Sequence, residues 1–139
     1  MINPQITVEA LQQLSRHSLE KHLGIEFTEV GPDYLCARMP VDERTRQPFG
    51  ALHGGASVVL AETLGSMGAN GCVDPARQYC VGLEINANHV RSVREGYVYG
   101  RATALHVGLT TQVWEIRISD QEGRLVCVSR ITLAILDKK

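Results

Sequence analysis

Apolar residues recur along this chain with two different periods, and the switches between them mark its elements. Thr7 can cap a short N-terminal helix that sets Leu11 and Leu14 on one face, and Ser18 opens a further turn that Gly24 ends. After Gly24 the period falls to two. Ile25, Phe27 and Val30 lead into the turn Gly31-Pro32-Asp33, and Leu35, Ala37, Met39 and Val41 then alternate with Tyr34, Cys36 and Arg38, which predicts a β-hairpin. Asp42 to Gly50 is polar and carries Pro48, a loop of the length that often holds function.

From His53 to about Gly71 the pattern is helical and apolar on nearly every side, through Ala56, Val58, Val59, Leu60, Ala61, Leu64, Met67 and Ala69. Such a helix must be wrapped by other structure. Gly54, Gly55, Gly65 and Gly68 each cost up to about 1 kcal/mol in a helix interior, which implies close backbone packing or open N–H groups at its start. Everything after Pro75 reads as strand. Tyr79, Val81, Leu83, Ile85, Ala87 and His89 alternate, and Tyr97 to Leu105 follows the turn Arg94-Glu95-Gly96. Gln112, Trp114, Ile116 and Ile118 form the next run, and the turn Asp120-Gln121-Glu122-Gly123 leads to Leu125, Cys127, Ser129, Ile131, Leu133 and Ile135. The fold class is α+β: one antiparallel sheet of about six strands curled around one long central helix.

Composition narrows the classes. At 139 residues the chain holds one core, so residues 1–139 are expected to form a single domain. With 44% hydrophobic and 21% charged residues and a net charge of -1, neither a disordered chain nor a strongly basic nucleic-acid binder fits. No stretch approaches a membrane span, and the first fourteen residues lack a signal-peptide pattern, so a soluble cytoplasmic protein is expected. Cys36, Cys72, Cys80 and Cys127 stand apart without metal-ligand spacing, so reduced thiols and no metal are expected.

One residue breaks the apolar logic of the central helix. Glu62 either points out through a gap as a solvated side chain or sits desolvated, poised for acid–base or nucleophilic work. Ser66, at i+4, shares its face and can orient a water or the carboxylate. Leu52-His53-Gly54-Gly55 opens the helix. The glycines are either a tight turn or an oxyanion hole of unshielded N–H groups at the positive end of the dipole. His53 by itself reads as a cap or core histidine, and Gln47 adds an amide donor to the same carbonyl oxygen.

Gly54 and Glu62, eight residues apart, are separated by roughly 12 Å along one helix and cannot meet at one carbonyl. Two such helices antiparallel across a two-fold axis bring Gly54 of one chain beside Glu62 of the other, so a homodimer with shared sites is expected, with the long strand from Tyr79 to Arg91 as the pairing edge. Eleven of the fourteen basic residues are Arg. In His89-Val90-Arg91-Ser92-Val93-Arg94 two of them either decorate a solvated turn or hold phosphates. Gly82, Asn86, Asn88, His106, Thr110 and Thr111 are further candidates for lining a ligand channel.

Together, Gln47-Pro48-Phe49-Gly50, His53-Gly54-Gly55-Ala56, Glu62 and Gly82-Leu83-Glu84-Ile85-Asn86-Ala87-Asn88-His89 closely resemble the hotdog-fold acyl-CoA thioesterases, in the branch acting on phenylacetyl-CoA, 4-hydroxybenzoyl-CoA and 1,4-dihydroxy-2-naphthoyl-CoA. The resemblance covers nearly the whole chain. It implies the hotdog fold, dimers that pair into tetramers, an acyl-CoA substrate and no cofactor. It also implies Glu62 as nucleophile or general base, Gly54 N–H as oxyanion donor supported by Gln47, His53 ordering that site, and Ser66 as the partner hydroxyl. His89, Arg91 and Ser92 correspond to the coenzyme A nucleotide site.

A hotdog dehydratase would use an Asp/His pair instead. A non-catalytic acyl-CoA-binding protein would lack Glu62 and would normally carry a DNA-binding segment, for which the roughly twenty residues before Ile25 are too few. The resemblance favours an aryl acyl group, with Phe49 and Met67 as candidate walls. The alternatives are a medium-chain or β-keto acyl group, or one carried by an acyl carrier protein.

Overall fold

The first helix starts where a side chain satisfies one of its open amides. In a computed structural model that describes residues 1–139, Thr7 Oγ1 accepts the Ala10 N–H at 3.1 Å and opens α1 (Val8–Leu14). Gly24, at φ 72°, closes α2 (Leu19–Leu23) in the left-handed conformation. Leu11 is buried. Leu14, expected beside it, is 68% exposed because α1 packs mainly on the first strand and ends at this residue.

The strands are β1 (Glu26–Val30), β2 (Tyr34–Pro40), β3 (Gln78–His89), β4 (Tyr97–Val107), β5 (Thr111–Ser119) and β6 (Leu125–Asp137). They form one antiparallel sheet in the order β1-β2-β4-β5-β6-β3. The alternation read from the sequence holds on β2, β5 and β6. Leu35, Ala37, Met39, Gln112, Trp114, Ile116, Ile118, Cys127, Ile131 and Leu133 are all buried.

They face α3 (Gly54–Asn70), the central helix, through Leu60, Ala61, Leu64 and Ala69. A Cβ on Gly65 would lie 2.5 Å from Ile131 Cγ2, and one on Gly68 would lie 2.8 Å from Trp114 Cζ3. The helical glycines therefore exist for close approach to the sheet, and the tight packing they permit offsets their poor propensity. All-round wrapping of α3 is not what the fold provides. The sheet buries one side, and Val58, Val59, Glu62, Ser66 and Met67 stay half-buried, with Glu62 at the rim beside β3. Part of the helix is covered by α2, with Thr63 Oγ1 donating to Glu20 Oε1 at 3.2 Å.

β3 departs from the single alternation predicted for it. Gly82 pairs with Leu133 and Glu84 with Thr132, so Leu83 is an extra residue, a β-bulge. One extra residue flips the parity of a strand. Cys80 and Gly82 face α3 before the bulge; Ile85, Ala87 and His89 face it afterwards. Tyr79, Val81 and Leu83 are consequently 40%, 36% and 62% exposed. β3 is also an outer strand of the sheet. The four cysteines are free, and burial pushes the thiols of Cys36, Cys72, Cys80 and Cys127 up. No helix is long and apolar enough to cross a membrane.

Candidate active site

The loop before α3 is tied at several points. His53 N–H donates to Thr45 O at 2.8 Å, Gln47 N–H to Ala51 O at 2.8 Å and Leu52 N–H to Val93 O at 2.7 Å. Within it Gln47 Oε1 accepts the Phe49 N–H at 2.6 Å and the Ala51 N–H at 3.4 Å, which fixes the amide and leaves Nε2 a donor without an acceptor in the chain. His53 is the cap of α3. Its Nδ1 accepts the Gly55 N–H at 2.8 Å, and its carbonyl accepts the N–H groups of Ala56 and Ser57 at 3.0 and 3.3 Å. Of the first four amides of the helix, the Gly54 N–H alone has no acceptor in the chain.

Gly54 lines a cavity of about 310 Å³ together with Gln47, Ser57, His89, Arg91 and Ser92. Two groups read separately in the sequence thus come together at one helix end. The His89 ring lies against Gly54: a Cβ there would be 3.1 Å from His89 Nε2. The two arginines of the cluster differ. Arg94 Nη1 donates to Phe49 O at 3.0 Å and its carbonyl accepts from Arg46 Nε at 3.0 Å, so Arg94 holds the loop, whereas exposed Arg91 lines the cavity. Ser57 adds a hydroxyl that residue type alone does not single out, although its i+3 spacing from Gly54 puts it on the same helix side.

Glu62 lies two turns along α3, in a second, smaller cavity of about 250 Å³ lined with Leu19, Glu20, Val58, Val59 and Thr63. It takes part in none of the chain's ion pairs. Its carboxylate rests against β3, where a Cβ on Gly82 would come 2.7 Å from Oε1. Ser66 is on the same face, one turn on, and its backbone carbonyl accepts from Asn70 Nδ2 at 2.9 Å. Met67 lines a separate apolar cavity of about 260 Å³ with Leu14 and Asn70, and Phe49 is 83% exposed. Asn86 bonds to Glu84 on the surface, and Asn88, His106, Thr110 and Thr111 line neither the Gly54 nor the Glu62 cavity.

The model of the thioesterase superfamily matches residues 49–127, from the Phe49 loop through α3 and into β6. The chain belongs to the thioesterase superfamily. It is 55% identical over 132 residues to the 1,4-dihydroxy-2-naphthoyl-CoA hydrolase of Escherichia coli K12, covering 95% of this chain and 96% of the relative. It is 52% identical over 131 residues to the proofreading thioesterase EntH of Cronobacter turicensis, covering 94% and 95%. A thioesterase structure from Haemophilus influenzae superposes with a TM-score of 0.94 at 49% identity, covering 98% of this chain and 94% of that one. A mutant thioesterase from Pseudomonas aeruginosa gives 0.96 at 48% identity and 99% coverage of both. The fold is the hotdog fold and the protein is a thioester hydrolase. For such a thioesterase a free helix-start N–H and an unpaired carboxylate are complementary groups, one suited to an oxyanion and the other to attack or to deprotonating water.

Proposed function

We propose that this thioesterase hydrolyses aryl-CoA thioesters, of the hydroxybenzoyl, phenylacetyl or dihydroxynaphthoyl type, at two equivalent sites each built from two chains. The observation that carries the reading is the division of one helix into two stations: the unclaimed Gly54 N–H facing Gln47, His89, Arg91 and Ser92, and the unpaired Glu62 about 12 Å further on. The Gly54 N–H and the Gln47 amide hold the carbonyl oxygen as it gains charge. Arg91, with His89 and Ser92, binds the coenzyme A phosphates. The partner chain's copy of the carboxylate acts on the carbonyl carbon, directly or through a water it deprotonates. The C–S bond breaks, the thiolate leaves as free coenzyme A after taking a proton, and water supplies the oxygen of the acid. β3 is an outer strand, and its edge beyond Cys80, which no other strand of the chain covers, supports pairing of two chains along it. The dihydroxynaphthoyl-CoA relative supports the aryl class.

Thiol release from benzoyl-CoA, phenylacetyl-CoA, octanoyl-CoA, acetoacetyl-CoA and the same acyl groups on a carrier protein tests this. The aryl-CoA thioesters are expected to have the highest kcat/KM, and Arg91→Ala is expected to raise KM for them about tenfold with kcat little changed. Faster hydrolysis of octanoyl-CoA or of carrier-protein thioesters would overturn the aryl-CoA assignment.

A further inference from the structure

The geometry points to Gly82 as the positioning residue for the Glu62 carboxylate, an inference that rests on Glu62 acting at the thioester. A glycine inside a strand weakens it and needs a reason. Backbone conformation is not the reason here, because Gly82 is not among the glycines at positive φ, which are Gly24, Gly50, Gly96 and Gly123. Crowding by the core is not the reason either. A Cβ at Gly82 would meet Ile131 Cδ1 at 3.6 Å and Glu62 Cδ at 3.7 Å, both ordinary contacts, and only Glu62 Oε1, at 2.7 Å, stands in its way. The residue is a glycine where the carboxylate oxygen needs the space.

The notch so formed has fixed walls. Two residues before Gly82, the Asn70 side chain accepts the Cys80 N–H at 2.8 Å and donates to the Cys80 carbonyl at 3.1 Å, while donating also to Ser66 O at 2.9 Å. This amide ties the last turn of α3 to β3, two residues along the strand from Gly82. Just beyond Gly82 the Leu83 bulge resets the strand, so that Gly82 faces Glu62 while His89 still faces Gly54 on the same helix. β3 thereby carries a contact to each station of the site. The carboxylate lies against the strand at Gly82, at the rim of the cavity lined by Glu20 and Val59.

Gly82→Ala is expected to displace the carboxylate by an ångström or so and to lower kcat about 30- to 100-fold on benzoyl-CoA, with KM and Tm nearly unchanged. Glu62→Asp draws the carboxylate back by one methylene, so adding Gly82→Ala in that background is expected to cost less than about threefold. Gly82→Ala with kcat within about twofold of wild type would overturn the inference, as would an equal loss of kcat or of Tm in both backgrounds. Glu62→Ala, measured alongside, separates the two levels. If it keeps full activity the reading of Glu62 is wrong; if it is inactive while Gly82→Ala is not, only the positioning role of Gly82 falls.

Discussion

Glu62→Gln is expected to lower kcat for benzoyl-CoA hydrolysis by about three orders of magnitude, the range seen when a nucleophile or general base is neutralised in place. Glutamine keeps the shape of the side chain and removes only its negative charge and basicity. The site tolerates this structurally, since Glu62 is half-buried, joins no ion pair and meets β3 at a glycine. Its effect on stability is therefore expected to stay within that of a surface change, about 0.5 kcal/mol. Steady-state thiol release and thermal melting on the same preparation check both halves. A variant with wild-type kcat would remove Glu62 from the chemistry, and one that lost activity together with several degrees of Tm would point to a structural role.

The largest expected effect on stability is at Trp114. Its side chain has no exposed surface and lies against the gap left by Gly68. Its Nε1 donates to Gln112 Oε1 at 2.9 Å, and Gln112 Nε2 in turn donates to Ala69 O at 3.1 Å near the end of α3. Trp114→Ala empties the space under the helix and strips a buried acceptor of its donor, for a loss of about 3–5 kcal/mol. In a domain of this size that lowers Tm by roughly 10–15 °C. Trp114→Phe retains most of the volume and loses the hydrogen bond, so about 1–3 kcal/mol is expected. Urea unfolding of the three proteins gives the comparison. A loss below about 1 kcal/mol for the alanine variant would mean that α3 is held to the sheet by other contacts.

The sheet and central helix were legible because β2, β5 and β6 each bury one face, so that alternation and burial coincide residue by residue from Leu35 to Met39 and from Gln112 to Ile118. β3 was legible as a strand but not in its facing. Val81 and Leu83 are as apolar as the inward Cys80, and an extra residue in a strand apolar on both sides leaves no mark in the pattern. Leu14 misled for a similar reason: helical spacing identifies a face, but what covers that face is decided by tertiary packing. At the site, Gln47, Gly54 and Glu62 stood out by residue type against their surroundings. Their assignment to two cavities, the joining of His89, Arg91 and Ser92 to Gly54, the different use of Arg94 and the Asn70 tie all depend on contacts between distant segments. Local sequence carries no record of those.

Mixing two inactive chains tests the shared site most directly. Glu62→Ala and Gln47→Ala damage different stations, the second expected to cost about 10² in kcat through loss of an oxyanion donor. Unfolding the two variants together and refolding them in equal amounts makes half of the pairs mixed, and each mixed pair holds one site with both residues intact. A site shared between chains predicts recovery to about a quarter of wild-type activity. Activity that stays at the mean of the two variants refolded separately would show that each chain carries its whole site, contradicting the two-chain arrangement.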